Sequence, residues 1–167
     1  MPCDVESILK AVETALKIQR VTIEKSVETA PQSRNERAPR IVVVDDDSQT
    51  RNLYKEALRD WVKDATIMEF ENGDEARREL LREAPDFLIS DLVHVGMDGF
   101  TMLRFLAERK VKYPILIASG NVPSMEAEAR ECAGPHLNVT FLEKPFAIKT
   151  FRTAVEAALQ IPARRAP

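Results

Sequence analysis

The chain has 167 residues, 44% of them hydrophobic, with 24 Lys+Arg against 27 Asp+Glu and a net charge of −3. That length suits one domain with an extension, and the apolar content is enough for a core. The charge balance gives no reason to assign nucleic acid or an acidic membrane as a main partner, no apolar run reaches the length of a membrane span, and Cys3 and Cys132 form neither a metal spacing nor a disulfide framework.

The opening MPCDVESILK lacks the basic-then-apolar plan of a signal peptide, so a cytoplasmic chain with two inert thiols is expected. The first predicted element is a helix over residues 4–29, about 39 Å long at about 1.5 Å per residue. Asp4 can cap it, and Glu6 with Lys10 and Glu13 with Lys17 sit at supporting i,i+4 positions. Leu9, Val12, Leu16, Gln19 and Ile23 follow the 3-4-3-4 spacing of a coiled-coil seam, with Gln19 as a polar break. Ile8, Ala15, Ile18 and Val21 widen that face, which suits self-association, packing onto the chain's own domain or a helical partner. We expect a homodimer through residues 4–29. The polar stretch APQSRNERAP, bracketed by Pro31 and Pro39, then reads as a linker. The expected division is an extension and linker over 1–38, a folded domain over 39–161 and a tail over 162–167.

Past the linker, short apolar runs alternate with amphipathic segments. The runs are IVVVD (41–45), TIMEF (66–70), DFLISD (86–91), PILIAS (114–119) and VTFLE (139–143). Helical patterns fall between them: Leu53, Leu58, Trp61 and Val62; then Ala76, Leu80 and Leu81; then Phe100, Leu103 and Leu106; then a weak, polar one from Met125 to Cys132. A last helix carries Ile148, Phe151, Val155 and Leu159. Strands that are apolar on both faces and joined by helix-length connections predict an α/β fold, a parallel sheet covered on each side and built from five βα units.

In such sheets the functional site lies beyond the carboxyl ends of the strands, where strand order reverses. The first strand ends in Asp45 and Asp46, the third in Asp91 and the fourth in Ser119, and Lys144 follows the fifth. The first of these ends belongs to a run of three acids, Asp45, Asp46 and Asp47. Two carboxylates about 4 Å apart repel by roughly 4 kcal/mol at an effective dielectric of about 20, so a cluster persists only if solvent, a proton or a cation relieves it. A metal is the productive answer; Asp47 or Ser48 capping the next helix is the structural one.

VVVDDD, LISDLVHVGMDGF, PILIASG and FLEKPF, in that order and at these separations, resemble the receiver domain of bacterial two-component response regulators over about residues 39–161. The resemblance implies a flavodoxin-like, doubly wound (βα)5 sheet with strand order 2-1-3-4-5. It implies Asp91 as phosphoacceptor, Asp45 and Asp46 as the acidic pocket, Ser119 as the switch hydroxyl, Lys144 as the site lysine and Phe141 as the aromatic switch position. Mg²⁺ is the implied cofactor, with Asp46 and Asp91 as direct ligands, Asp45 through water and the main-chain carbonyl of Val93 completing the protein share. The implied partners are a histidine kinase or histidine phosphotransfer protein and a downstream protein target, with no direct contact to nucleic acid or membrane. A cis Lys144–Pro145 bond is expected, since X-Pro bonds have the smallest trans preference.

Two departures mark the loop after Asp91: Val95 stands where a proline is usual and His94 where a methionine is common. His94 is expected to face solvent, and Val93 and Asn121 to flank the phosphoryl group. Two other readings share part of this pattern. A degenerate receiver would bind partners without phosphorylation, whereas here the acceptor, acids, hydroxyl and lysine are all present. A haloacid-dehalogenase-like phosphatase would use Asp45 and Asp47 as its Asp-x-Asp pair, but it needs a further acidic pair at a strand end beyond Lys144, where FAIKTFRTAVEAALQ offers only a helix.

Overall fold

The computed structural model describes residues 37–94 and 96–161. The expected N-terminal helix with its dimer seam, most of the linker, Cys3, Val95 and the 162–167 tail lie outside the described residues. The elements in chain order are β1 (Arg40–Val44), α1 (Ser48–Trp61), β2 (Thr66–Phe70), α2 (Gly73–Arg82), β3 (Phe87–Ser90), α3 (Gly99–Glu108), β4 (Ile115–Ser119), α4 (Val122–Ala133), β5 (Val139–Glu143) and α5 (Ile148–Leu159). All strand pairs are parallel and the order is β2-β1-β3-β4-β5. This is the expected flavodoxin-like fold.

The strands follow from composition. RIVVV, FLIS and ILIAS are buried along their whole length, because β1, β3 and β4 are the inner strands and have helices on both faces. TIMEF and VTFLE form the two edges and keep residues such as Thr66, Thr140 and Glu143 exposed. One face of the sheet packs against α1 and α5 through Tyr54, Leu58, Phe151, Val155 and Leu159. The other packs against α2, α3 and α4 through Ala76, Met102, Leu103, Leu106, Ala129 and Ala133.

The helix faces correct part of the pattern reading. Leu53, Leu81 and Ile148 are about half exposed, at 47%, 55% and 50%, while Tyr54 and Ala57 take the buried positions of α1. In α1 the inward set is Tyr54, Ala57 and Leu58, an i, i+3, i+4 stripe, and Leu53 falls just off it. Tyr54 sits among aromatic rings from the α5 side, with its centroid 4.9 Å from Phe151 and 6.1 Å from Phe146; Trp61 lies 5.5 Å from Phe151. The α4 helix runs from Val122 with Pro123 in its first turn, and its N-cap residue Asn121 makes no side-chain capping bond.

The register sets the site. Val44 pairs with Ser90 across β1 and β3, so Asp45 and Asp91 leave the sheet at the same level. The Asp91 amide donates to the Val44 carbonyl at 2.9 Å, and the Asp45 amide to that of Phe70 at 3.2 Å. Strand order reverses between β1 and β3, and the two aspartates stand on either side of that crevice.

Candidate functional site

Lys144 closes the crevice. It leaves β5 just past Glu143, and its amide donates to the Ser119 carbonyl at 2.8 Å, tying the ends of β4 and β5 together. The following Lys144–Pro145 bond is cis, as expected. The Lys144 Nζ donates to Asp45 Oδ2 at 2.6 Å and to Asp91 Oδ2 at 2.8 Å. Residues far apart in the sequence therefore meet as one cation between two carboxylates.

The three consecutive acids have three different surroundings. Asp45 is buried at 1% exposure, and its Oδ1 accepts the Asp47 amide at 3.0 Å. Burial pushes its carboxyl above the usual range, although the Lys144 hydrogen bond and charge pull the other way. Asp46 is exposed, and its carboxylate bonds to no described side chain. Asp47 caps α1, its two oxygens accepting the Gln49 and Thr50 amides at 3.1 Å each and the Thr50 hydroxyl at 2.6 Å. The hydroxyl bond, then the amides, hold its carboxyl below the usual range. The structural answer to the acid run is thus present at Asp47, and the second acid of the phosphatase reading is engaged in a helix cap.

Lys144 is half-buried. Burial works against its ammonium, but the hydrogen bonds and charges of Asp45 and Asp91 outweigh it and raise its pKa. Asp91 also accepts the Val93 amide on Oδ1 at 3.1 Å, which turns the loop so that Val93 itself is 60% exposed at the rim. Ser119 is buried at the end of β4, and Phe141 lies half-buried on the α4 side of β5 with the Arg130 guanidinium 4.7 Å above its ring. Asn121 is exposed beside them.

His94 corrects an expectation: it is buried at 8% exposure, not solvent-facing. The loop after Asp91 folds back onto the start of α2, where a Cβ on Gly73 would fall 2.1 Å from the Met97 carbonyl oxygen and 2.8 Å from His94 Cε1. Glycine at 73 makes that approach, and the imidazole is covered by it. Gly96, at φ +83°, supplies the left-handed turn of the same loop.

Two residues near the site went unnoticed in the sequence. The Arg51 Nη1 donates to the main-chain carbonyls of Asp45 at 2.7 Å and Asp46 at 3.1 Å. The Tyr54 hydroxyl is buried without a hydrogen-bond partner among the described residues, and burial together with the charges of Asp45 and Asp91 raises its pKa. Arg51 is one turn beyond the capping acid, a spacing that signals a return contact to the loop; Tyr54 carries no comparable signal.

The donors suit a hard divalent cation. Among the described residues no group of three or more His, Cys, Asp or Glu side chains is placed to hold a metal ion by itself. The carboxylates at the crevice are Asp45 and Asp91, both bonded to Lys144, and the exposed Asp46, so the candidate ligands are few and all are oxygens. Mg²⁺ prefers that arrangement, since it keeps several waters and takes few protein carboxylates.

A family model described as the response regulator receiver domain matches residues 41–156. The chain belongs to this family, whose members are regulatory modules of two-component systems and interact with histidine kinases and downstream targets. A curated relative, the DNA-binding transcriptional regulator NtrC of Salmonella typhimurium, is 33% identical over 117 residues, covering 70% of this chain and 24% of that protein. The chain thus spans about a quarter of the length of that relative. Among solved structures, the signal receiver domain of a signal transduction histidine kinase from Syntrophus aciditrophicus is 25% identical, with a TM-score of 0.62 over 77% of this chain and 96% of that one. The receiver domain of sensor histidine kinase PA1611 from Pseudomonas aeruginosa PAO1, with magnesium coordinated in its active site cleft, is 21% identical with a TM-score of 0.62 over 74% and 99%.

Proposed function

We propose that this chain is a cytoplasmic phosphoacceptor receiver that takes a phosphoryl group from a histidine kinase or histidine phosphotransfer protein onto Asp91 and thereby switches its binding to a downstream protein. The observation that carries the reading is the Lys144 ammonium held between Asp45 and Asp91 at the point where strand order reverses. An Asp91 carboxylate oxygen forms the new P–O bond as the P–N bond to the donor imidazole breaks, and the bonding pair returns to that nitrogen. Lys144 then gives up its hydrogen bond to Asp91 and takes a phosphoryl oxygen.

Asp46, Asp91 and the Val93 carbonyl would hold Mg²⁺ directly and Asp45 through water; the ion, when bound, neutralises charge on the phosphoryl oxygens. The choice of Mg²⁺ as the ion is supported by a receiver of the same fold, from Pseudomonas, that has magnesium in its active site cleft. Ser119 donates to the phosphoryl group, and Phe141 moves inward into the space it leaves. Water later hydrolyses the aspartyl-phosphate in the same site. Self-association through residues 4–29 and division into 1–38, 39–161 and 162–167 belong to the same reading. Direct nucleic-acid contact does not, since a net charge of −3 offers no steering.

With Mg²⁺ and acetyl phosphate, intact mass is expected to show one acid-stable, hydroxylamine-labile phosphoryl adduct, absent from Asp91→Asn. No adduct, together with no binding of beryllofluoride, overturns the reading and leaves a receiver that works without phosphorylation.

A further inference from the structure

Arg51 lies beside three carboxylates and pairs with none of them. Its guanidinium is directed at main-chain oxygens, Asp45 O at 2.7 Å and Asp46 O at 3.1 Å, both from the one nitrogen Nη1. Its own amide donates to the Asp47 carbonyl at 3.0 Å, so the side chain reaches back over the first turn of α1 from a fixed base. The bonded carbonyls belong to Asp45, whose carboxylate faces Lys144 in the crevice, and to the exposed Asp46 next to it. Two successive carbonyls drawn to one cation fix the peptide planes of the loop. Consistent with this, the Asp47 amide meets Asp45 Oδ1 at 3.0 Å, with Asp45 turned inward and Asp46 outward.

We propose that Arg51 is a positioning residue for the divalent-cation site: by holding the carbonyls of Asp45 and Asp46 it sets the two carboxylates in the geometry that receives Mg²⁺. The inference rests on the phosphoacceptor reading above. It has a sign that separates it from simple electrostatics. A guanidinium near a divalent cation repels it, so a role through charge alone requires Mg²⁺ to bind more tightly once Arg51 is neutralised. Positioning requires the opposite, because the loop must then be ordered at the moment of binding, and partners that orient metal ligands are typically worth about ten- to a hundredfold in metal affinity.

The test is calorimetric titration of Mg²⁺ into the full chain as wild type, Arg51→Met and Arg51→Lys, with urea midpoints measured separately in EDTA. Arg51→Met is expected to weaken Mg²⁺ by about tenfold, and Arg51→Lys, which keeps the charge on a shorter reach, by less. Arg51→Met binding as tightly as wild type or more tightly overturns the positioning role while leaving the phosphoacceptor reading intact. A wild type that binds no Mg²⁺ overturns both. A lowered midpoint in EDTA with unchanged affinity marks a purely structural arginine and also overturns the proposal. If Arg51→Met does not fold, Arg51→Lys decides alone: affinity equal to wild type rejects positioning, and a severalfold loss supports it.

Discussion

Asp45, Asp46 and Asp47 are adjacent in sequence and differ in what surrounds them, and this separates a site residue from a scaffold residue more sharply than residue type does. Asp45 meets Lys144, Asp46 is left to solvent, and Asp47 caps α1. Because Asp47's carboxyl is held below its ordinary value, its contribution to stability is present above about pH 4 and is lost as pH falls through the lowered folded value. Asp47→Ala is therefore expected to lower the urea midpoint at pH 7, with the gap to wild type closing in titrations at progressively more acid pH. Asp45 has the opposite sign: its raised value means that acid favours the folded form with Asp45 protonated, and ionisation above that value works against burial. The placement of Asp45, Asp91, Ser119 and Lys144 was legible in the sequence because the ends of apolar runs mark the carboxyl edge of a parallel sheet. The burial of His94 was not, since it depends on a loop returning to Gly73, which lies well upstream in the chain. Nor was the role of Arg51, whose partners are carbonyls that every residue carries.

At the scale of elements, α1 and α5 are joined by aromatic rings, and α2 is joined to the site loop by the absence of one side chain. Phe151 is fully buried and lies within 6 Å of the Tyr54, Trp61 and Phe146 ring centroids, at 4.9, 5.5 and 5.6 Å. Phe151→Ala removes a ring that three others pack against, and chemical denaturation is expected to show a loss of about 3–5 kcal/mol. Gly73→Ala sets a methyl against the Met97 carbonyl, so either α2 or the loop after Asp91 must shift. Amide chemical shifts across residues 91–98 are expected to move in that variant, with little change in β4 and β5. Strand identity was legible because the inner strands are apolar along their whole length. Helix orientation was only partly so: a leucine beside a tyrosine in α1 offers two apolar stripes nearly equal in pattern, and packing against α5 selects Tyr54.

Taken whole, the molecule places a cation from the last strand between acids from the first and third. Light scattering is expected to give twice the monomer mass for the full chain and the monomer mass for a chain beginning at Arg37; equal monomeric masses over a broad concentration range reject self-association through residues 4–29. The lysine between the acids also sets an order in time. Lys144 stands 99 residues from Asp45 and 53 from Asp91 along the chain. A nascent polypeptide synthesised as far as Ser119 already carries every carboxylate of the crevice and the hydroxyl, yet has no ammonium to set between them. The contact of Lys144 with Asp45 and Asp91 therefore forms only after β5 has left the ribosome and joined the edge of the sheet, so the crevice is among the last parts of the fold to be completed.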